Sequence, residues 1–207
     1  MYISRVEVDV YNRQKIRDLT HLGAYHNWVE QSFDEAKGVR SRKLWQIDKI
    51  NDKKYLIVVS QNKPEAKLLE KYGVEGTAVT KDYDAYLDKI KNNMKFKFRL
   101  VTNPVKAASE KGKRGIETPY LKLDEQKKFL IDRTEKNGFK IGDNEFGIVE
   151  RGSEILRKQN SKPIKVVKAT FEGILTVTDE EKFKAVLENG FGKKKAYGFG
   201  LLTVIPM

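Results

Sequence analysis

The chain contains no cysteine and only two histidines among its 207 residues. The absence of cysteine excludes disulfides, thiolate nucleophiles and cysteine-ligated zinc or iron–sulfur sites. Any metal site would have to be built mainly from carboxylates, and the sequence has no Asp/Glu-rich loop of the calcium-binding type. We therefore expect neither a metal ion nor another cofactor.

Long apolar runs are also missing. No window approaches the roughly 18 consecutive apolar residues that a membrane span requires. The opening segment, MYISRVEVDVYNR, lacks the apolar core of a signal peptide. These absences predict a cytoplasmic protein without a membrane partner.

Positive charge, by contrast, is abundant. The chain has 41 Lys and Arg against 29 Asp and Glu, which gives a formal net charge of +12. Such a protein attracts polyanions at a distance, so nucleic acid is the first partner to consider. The alternative is a scattered basic surface that serves only solubility.

The first hundred or so residues alternate between strand and helix patterns. YISRVEVDV places Val6, Val8 and Val10 on one face, as in a half-buried strand. Residues 12–33 read as a helix in two pieces, because Gly23 and the polar DLTH interrupt it. Two strands, a short helix opened by proline and the alternating strand KFKFRLVT follow. The order is β-α-β-β-α-β, the ferredoxin-like arrangement.

The second half repeats this scheme. A helix, KLDEQKKFLIDRTEKNG, precedes two long strands, a helix whose capping box we assign to Thr178 and Glu181, and the final strand LLTVIP. The predicted fold class is α+β, with two tandem ferredoxin-like (RRM-like) domains. We place them at residues 1–103 and 117–207, joined by a basic linker over 104–116.

A glycine-rich basic loop, GFGKKKAYGFG, lies between the last helix and the last strand. In dinucleotide fingerprints and P-loops the glycines instead follow a strand and open a helix. A nucleotide cofactor is therefore disfavoured, and a nucleic-acid backbone is the better match for Lys193, Lys194 and Lys195. The alternative is that the glycines only turn the chain and the lysines are solvated.

Several segments together resemble a known protein family. FEGILTV, the capped helix and GFGKKKAYGFGLLTV are similar to the signature of the RAMP superfamily of CRISPR proteins. KFRLVTNPVKAASEKGKRG, MYISRVEVDV and GAYHNWVEQSF resemble CasE, the pre-crRNA endoribonuclease family of type I-E systems. The resemblance implies two ferredoxin-like domains and a CRISPR repeat RNA hairpin as substrate. It also implies retention of the mature crRNA and assembly with the other Cascade subunits.

RNA carries its own nucleophile, the 2′-OH, so such an enzyme needs mainly a general acid or base and groups that stabilise the charge developing on the phosphate. The resemblance of AYHNWV to the family places the catalytic histidine at His26. His21 lies five residues earlier, about 140° away on a continuous helix, and is better explained as a helix-start or surface residue. Relatives carry a supporting tyrosine where this chain has Gly23, so Tyr25 is only a substitute candidate.

The family also uses a basic hairpin of the second domain to bind the base of the RNA stem. The corresponding residues here are Arg151, Arg157, Lys158, Lys162 and Lys165.

The basic linker supplies further candidates for contact with the RNA backbone, namely Lys106, Lys111, Lys113 and Arg114. Two other functions stay open at this point. The chain could be a non-catalytic RNA-binding subunit of a CRISPR ribonucleoprotein, or a generic binder of double-stranded RNA.

Overall fold

The computed structural model describes residues 1–34, 41–108, 116–158 and 161–207. In chain order the strands are β1 Tyr2–Glu7, β2 Lys43–Ile50, β3 Lys53–Ser60, β4 Val79–Asp82, β5 Lys95–Thr102, β6 Val105–Ala108, β7 Ile116–Pro119, β8 Phe139–Lys140, β9 Phe146–Leu156, β10 Ile164–Val177 and β11 Leu202–Pro206. The helices are α1 Arg13–Ile16, α2 Leu22–Gln31, α3 Ala66–Leu69, α4 Asp84–Leu87, α5 Leu123–Thr134 and α6 Glu180–Asn189. None of the described helices is long and apolar enough to span a membrane.

Nine of the eleven described strands form two antiparallel sheets, which confirms the predicted α+β class. The first has the order β2-β3-β1-β4, and the second has the order β11-β5-β10-β8 with β9 also paired to β10. We expected β5 to be the last strand of the first half, and this is wrong. Strand β5 pairs with β10 and β11, and β4 takes its place in the first sheet. The exact limits of the two domains stay a prediction.

A second difference concerns the segment predicted to be a basic linker. Its described ends are strands β6 and β7, which pair as an antiparallel ribbon with Lys106 opposite Thr118. The ribbon matters for the site because its second strand carries Glu117.

The two sheets share one hydrophobic core. Leu44 and Val59 of the first sheet belong to the same buried cluster as Phe96 and Leu100 of β5 and Phe183 of α6. Burial of a large apolar side chain contributes about 1.5–3 kcal/mol. A continuous core of this kind fixes the first sheet against the second, and with it the cleft described below.

Helix α2 begins where its sequence predicts a break. His21 is the N-cap, and its Nδ1 accepts a hydrogen bond of 3.2 Å from the backbone amide of Ala24. The interpretation of His21 as a helix-start residue is therefore confirmed. This cap sets the position of the helix that carries His26.

The start of α6 differs by one residue from our prediction. The N-cap is Asp179 rather than Thr178, and its side chain accepts from the amide of Lys182 at 3.1 Å. The backbone amides of both Thr178 and Asp179 donate to the carbonyl of Gly138, which fixes the turn that precedes the helix. The helix ends at Gly190, whose φ of +76° favours glycine.

Candidate active site

A cleft of about 700 Å³ opens between α2, the start of β2, the β6–β7 ribbon and the glycine-rich loop. It therefore draws on both halves of the chain. Five of its lining residues are Lys or Arg and two are Glu. The lining consists of His26, Glu30, Ser41, Arg42, Lys43, Glu117, Gly192, Lys193, Lys194, Lys195, Ala196 and Tyr197.

His26 projects into this cleft from α2 and is about a quarter exposed. Its ring centroid lies 5.2 Å from that of Tyr197, which belongs to the glycine-rich loop. The Nζ atom of Lys158 lies 5.3 Å from the centre of the same tyrosine ring. The imidazole is thus accessible to a substrate and is bordered by an aromatic ring, which in turn contacts a cation.

A carboxylate connects His26 to a buried lysine. Glu30 Oε1 lies 3.9 Å from His26 Nδ1, one helical turn along α2, and Glu30 Oε2 lies 3.3 Å from Lys43 Nζ. The Lys43 side chain is almost fully buried, with its Nζ 4.9 Å from the centre of the Phe33 ring. A buried ammonium requires such a partner. The Lys43 contact helps to hold the Glu30 carboxylate beside the imidazole.

The glycine-rich loop is seated on Trp45 of β2. The indole Nε1 donates a 3.0 Å hydrogen bond to the carbonyl of Ala196. Gly198 has a φ of +80°, and a Cβ at this position would lie 2.7 Å from the Trp45 ring. Only glycine satisfies both the backbone conformation and this close approach. The glycines thus turn the chain and also hold the loop against the first sheet.

The three consecutive lysines of the loop have different surroundings. Lys193 and Lys194 both bind Glu117, at 3.2 and 2.9 Å. The hydrogen bond from Lys194, supported by Lys193, lowers the pKa of Glu117. Lys195 instead donates to the backbone carbonyl of Asn189 at 2.8 Å. Burial lowers the pKa of Lys195, and so does the nearby positive charge of Arg42.

Tyr25 lies in a different cavity from His26. Its ring stacks on Trp45, with ring centroids 5.9 Å apart, and it lines a separate space of about 720 Å³. Burial, together with Glu154, raises the pKa of the phenol. The structure does not bring Tyr25 to the His26 cleft. The phenol beside His26 is Tyr197, which sequence reasoning missed although it lies within the basic glycine-rich loop.

The surroundings of Gly23 leave no space for a tyrosine at this position of α2. A Cβ on Gly23 would lie 2.3 Å from the backbone carbonyl oxygen of Arg157, the residue that follows β9. The β9–β10 hairpin packs against α2 here, so the space that a side chain would need is filled.

The hairpin cations predicted to bind RNA are distributed unevenly. Arg151 Nε donates to Gln126 Oε1 at 2.9 Å, which ties this guanidinium to α5. Lys158 lies near the cleft through its contact with Tyr197. The remaining hairpin residues predicted for RNA contact, Arg157, Lys162 and Lys165, are exposed.

Of the ribbon candidates, Lys106 is exposed, whereas Lys111, Lys113 and Arg114 lie outside the described residues. Within the part of the chain that the structure describes, no three His, Asp or Glu side chains are grouped closely enough to hold a metal ion.

Comparison with known proteins gives consistent matches over the full chain. A family model described as CRISPR associated protein matches residues 1–206. The CRISPR-associated endoribonuclease Cse3 of Thermus thermophilus is 28% identical over 219 aligned positions, which cover all of both chains.

Solved structures agree with this match. Thermus thermophilus Cse3 bound to an RNA representing a pre-cleavage complex has a TM-score of 0.79 at 25% identity, over 99% of this chain and 98% of that one. A chain of a CRISPR RNA-guided surveillance complex has a TM-score of 0.68 over the whole of both chains. At 16% identity this second likeness concerns the fold alone.

Proposed function

The chain belongs to the CRISPR-associated protein family whose model matches it, and we propose that it is an endoribonuclease that cleaves the hairpin of a CRISPR repeat transcript. The observation that carries this proposal is a partly exposed imidazole, His26, in a cation-lined cleft built from both halves of the chain. The resemblance to Cse3, an endoribonuclease seen with a pre-cleavage RNA, supports it.

In the proposed reaction the 2′-OH beside the scissile bond attacks the adjacent phosphorus. A P–O2′ bond forms, the P–O5′ bond breaks, and the products are a 2′,3′-cyclic phosphate and a 5′-OH. His26 transfers the proton that leaves the 2′-OH or the proton that the 5′ oxygen gains, because an imidazole titrates near neutral pH. No step in this scheme requires a metal ion.

Glu30 acts as a positioning residue for His26. Its carboxylate lies 3.9 Å from Nδ1 and is itself held by Lys43. A carboxylate at this distance restricts rotation of the ring. Tyr197 borders the imidazole on the loop side and limits its position from there.

RNA binding in this proposal uses the exposed cations of the β9–β10 hairpin, the ribbon and the glycine-rich loop. Duplex RNA is bound largely through its shape and backbone, which suits such dispersed positive charge. The chain then keeps the mature crRNA and joins other type I-E Cascade subunits in the cytoplasm. The match to a chain of an RNA-guided surveillance complex supports this assembly through the fold.

The test is cleavage of an end-labelled repeat hairpin in EDTA by the wild type, by His26→Ala and by a control, His21→Asn. Asparagine is a good N-cap, so His21→Asn removes the other imidazole and preserves the start of α2. We expect cutting at one fixed position by the wild type and the control, and loss of cleavage in His26→Ala with RNA binding retained.

Two outcomes would contradict this assignment. Equal cleavage by His26→Ala would exclude the role of that residue. A wild type that binds the hairpin tightly without cutting it would favour the alternative, a non-catalytic RNA-binding subunit.

A further inference from the structure

The three lysines of the glycine-rich loop differ in whether a described carboxylate binds them. Glu117 binds both Lys193 and Lys194, so two of the three ammonium groups already have a carboxylate partner. Lys195 has a neutral partner, the carbonyl oxygen of Asn189. The loop therefore presents one cation to the cleft whose charge no described carboxylate balances.

A second cation shares the acceptor that Lys195 uses. Arg42 Nη1 donates to the same Asn189 carbonyl at 3.1 Å, compared with 2.8 Å for Lys195 Nζ. Asn189 is the last residue of α6, so its carbonyl lies at the negative end of a ten-residue helix. Residues from opposite halves of the chain are thus brought together at one helix terminus.

This arrangement leaves an excess of positive charge. A helix C-terminus offers roughly half an elementary negative charge, which is less than two full cations require. Among the described residues, no carboxylate lies within 4 Å of either Arg42 or Lys195. The two like charges repel one another, and the lowered pKa of Lys195 reflects burial together with this repulsion. An anion bound between them would relieve the repulsion.

The two cations also line the same cleft as the proposed catalytic histidine. Arg42, Lys195 and His26 line the same cleft of about 700 Å³. A phosphate bound by the two cations would therefore lie in the space into which the imidazole projects.

We propose that Arg42 and Lys195 together bind the non-bridging oxygens of the scissile phosphate and stabilise the charge that develops on them during attack by the 2′-OH. The inference rests on the proposed nuclease function and adds to it the two groups that act on the phosphate. As the P–O2′ bond forms and before the P–O5′ bond breaks, the phosphorane oxygens carry more negative charge than the substrate does. Two cations fixed beforehand at this point lower the barrier, because they need no reorganisation.

Lys193 and Lys194 have a different task in this scheme. Their contact with Glu117 fastens the loop to the β6–β7 ribbon, so their removal affects loop stability and RNA affinity more than the chemical step. This contrast supplies a matched comparison, since Lys193 and Lys195 lie two residues apart in the same loop.

The experiment measures the single-turnover cleavage rate at saturating protein, and the Kd for an uncleavable hairpin with a 2′-deoxy substitution at the cleavage site. Removing one preorganised charge contact of this kind costs about 10²- to 10³-fold in rate. We expect a loss of that size for Lys195→Ala, a similar loss for Arg42→Ala and partial recovery for Lys195→Arg. Lys193→Ala should weaken RNA binding and, once protein is saturating, should lose less in cleavage rate than Lys195→Ala. The double variant Arg42→Ala/Lys195→Ala should lose less than the sum of the two effects, since both act on one phosphate.

Unchanged thermal unfolding of the Lys195 and Arg42 variants would show that the loop and core are intact in them. A second readout is a hairpin with sulfur in place of one non-bridging oxygen at the scissile phosphate. One diastereomer should slow the wild type markedly and slow Lys195→Ala much less, which a purely structural lysine would not produce.

The outcomes separate this inference from the proposed function. If the wild type fails to cut, or if His26→Ala cuts equally well, the nuclease proposal itself fails. If the wild type cuts, His26→Ala does not, and Lys195→Ala reaches the wild-type rate at saturating protein, only the present inference is overturned. In that case Lys195 is an RNA-backbone contact without a role in the chemical step.

Discussion

Replacement of Gly198 by alanine tests how the glycine-rich loop is held over the cleft. Gly198 has a φ of +80°, and an added Cβ would lie 2.7 Å from Trp45 Cζ3 and 2.8 Å from Cη2. Favourable carbon–carbon contacts lie at about 3.5–4.0 Å, so the ring or the loop must move by roughly 1 Å. The Trp45 ring cannot move freely, because its Nε1 donates to the Ala196 carbonyl and its side chain is 2% exposed.

Two costs add up in this variant. A left-handed backbone costs a residue with a Cβ about 1–2 kcal/mol. Overpacking against a fixed ring costs about 1–3 kcal/mol more. Gly76→Ala is the matched control, since Gly76 has a φ of +75° and nothing within 4 Å of an added Cβ. The control should show the backbone cost alone.

Denaturant unfolding of both variants measures this difference. We expect Gly198→Ala to be less stable than Gly76→Ala by about 1–3 kcal/mol, the overpacking cost by itself. The displaced loop should also slow cleavage of the hairpin, whereas Gly76→Ala should cut at the wild-type rate. Equal unfolding free energies for the two variants would refute the argument that Trp45 holds the loop.

Three further predictions concern α2 and the ribbon. Gly23→Tyr should lower the free energy of unfolding without raising the cleavage rate, because a hairpin carbonyl oxygen would lie 2.3 Å from the new Cβ. Gly147→Tyr is the control and should cost little stability, since nothing lies within 4 Å of an added Cβ there. Faster cleavage by Gly23→Tyr would refute the prediction. Glu30→Gln should reduce the cleavage rate by less than the roughly 10²- to 10⁴-fold loss expected for His26→Ala, because the imidazole itself is kept. A wild-type rate in this variant would contradict a positioning role. The folded-state pKa of Glu117 lies below its usual 4.5, so the contribution of this carboxylate to stability is present above pH 4.5 and is lost as the pH falls through the lowered value. The free energies of unfolding measured at pH 6 and pH 3 should therefore differ less in Glu117→Gln than in the wild type.

The sequence by itself determined the features that depend on near neighbours along the chain. The break before α2, the cap at His21 and the glycine at the end of α6 follow from local backbone hydrogen bonds and φ preferences. The alternating pattern of β5 predicted its buried face correctly, since Phe96 and Phe98 are both in the core. The choice of His26 as the catalytic histidine came from the resemblance of AYHNWV to the family, and it stays a prediction.

The tertiary structure decided what depends on contacts between distant segments. Periodicity shows that β5 is a strand but not which strands it pairs with, so its place in the second sheet could not be read from the sequence. The same limit applies to Tyr197, which reaches His26 from 171 positions away in the chain. The different surroundings of Lys193 and Lys195 depend on Glu117 and Asn189, which only folding brings to the loop. The sequence shows which side chains are charged, whereas the packing of distant segments decides which of them bind a carboxylate of the same chain.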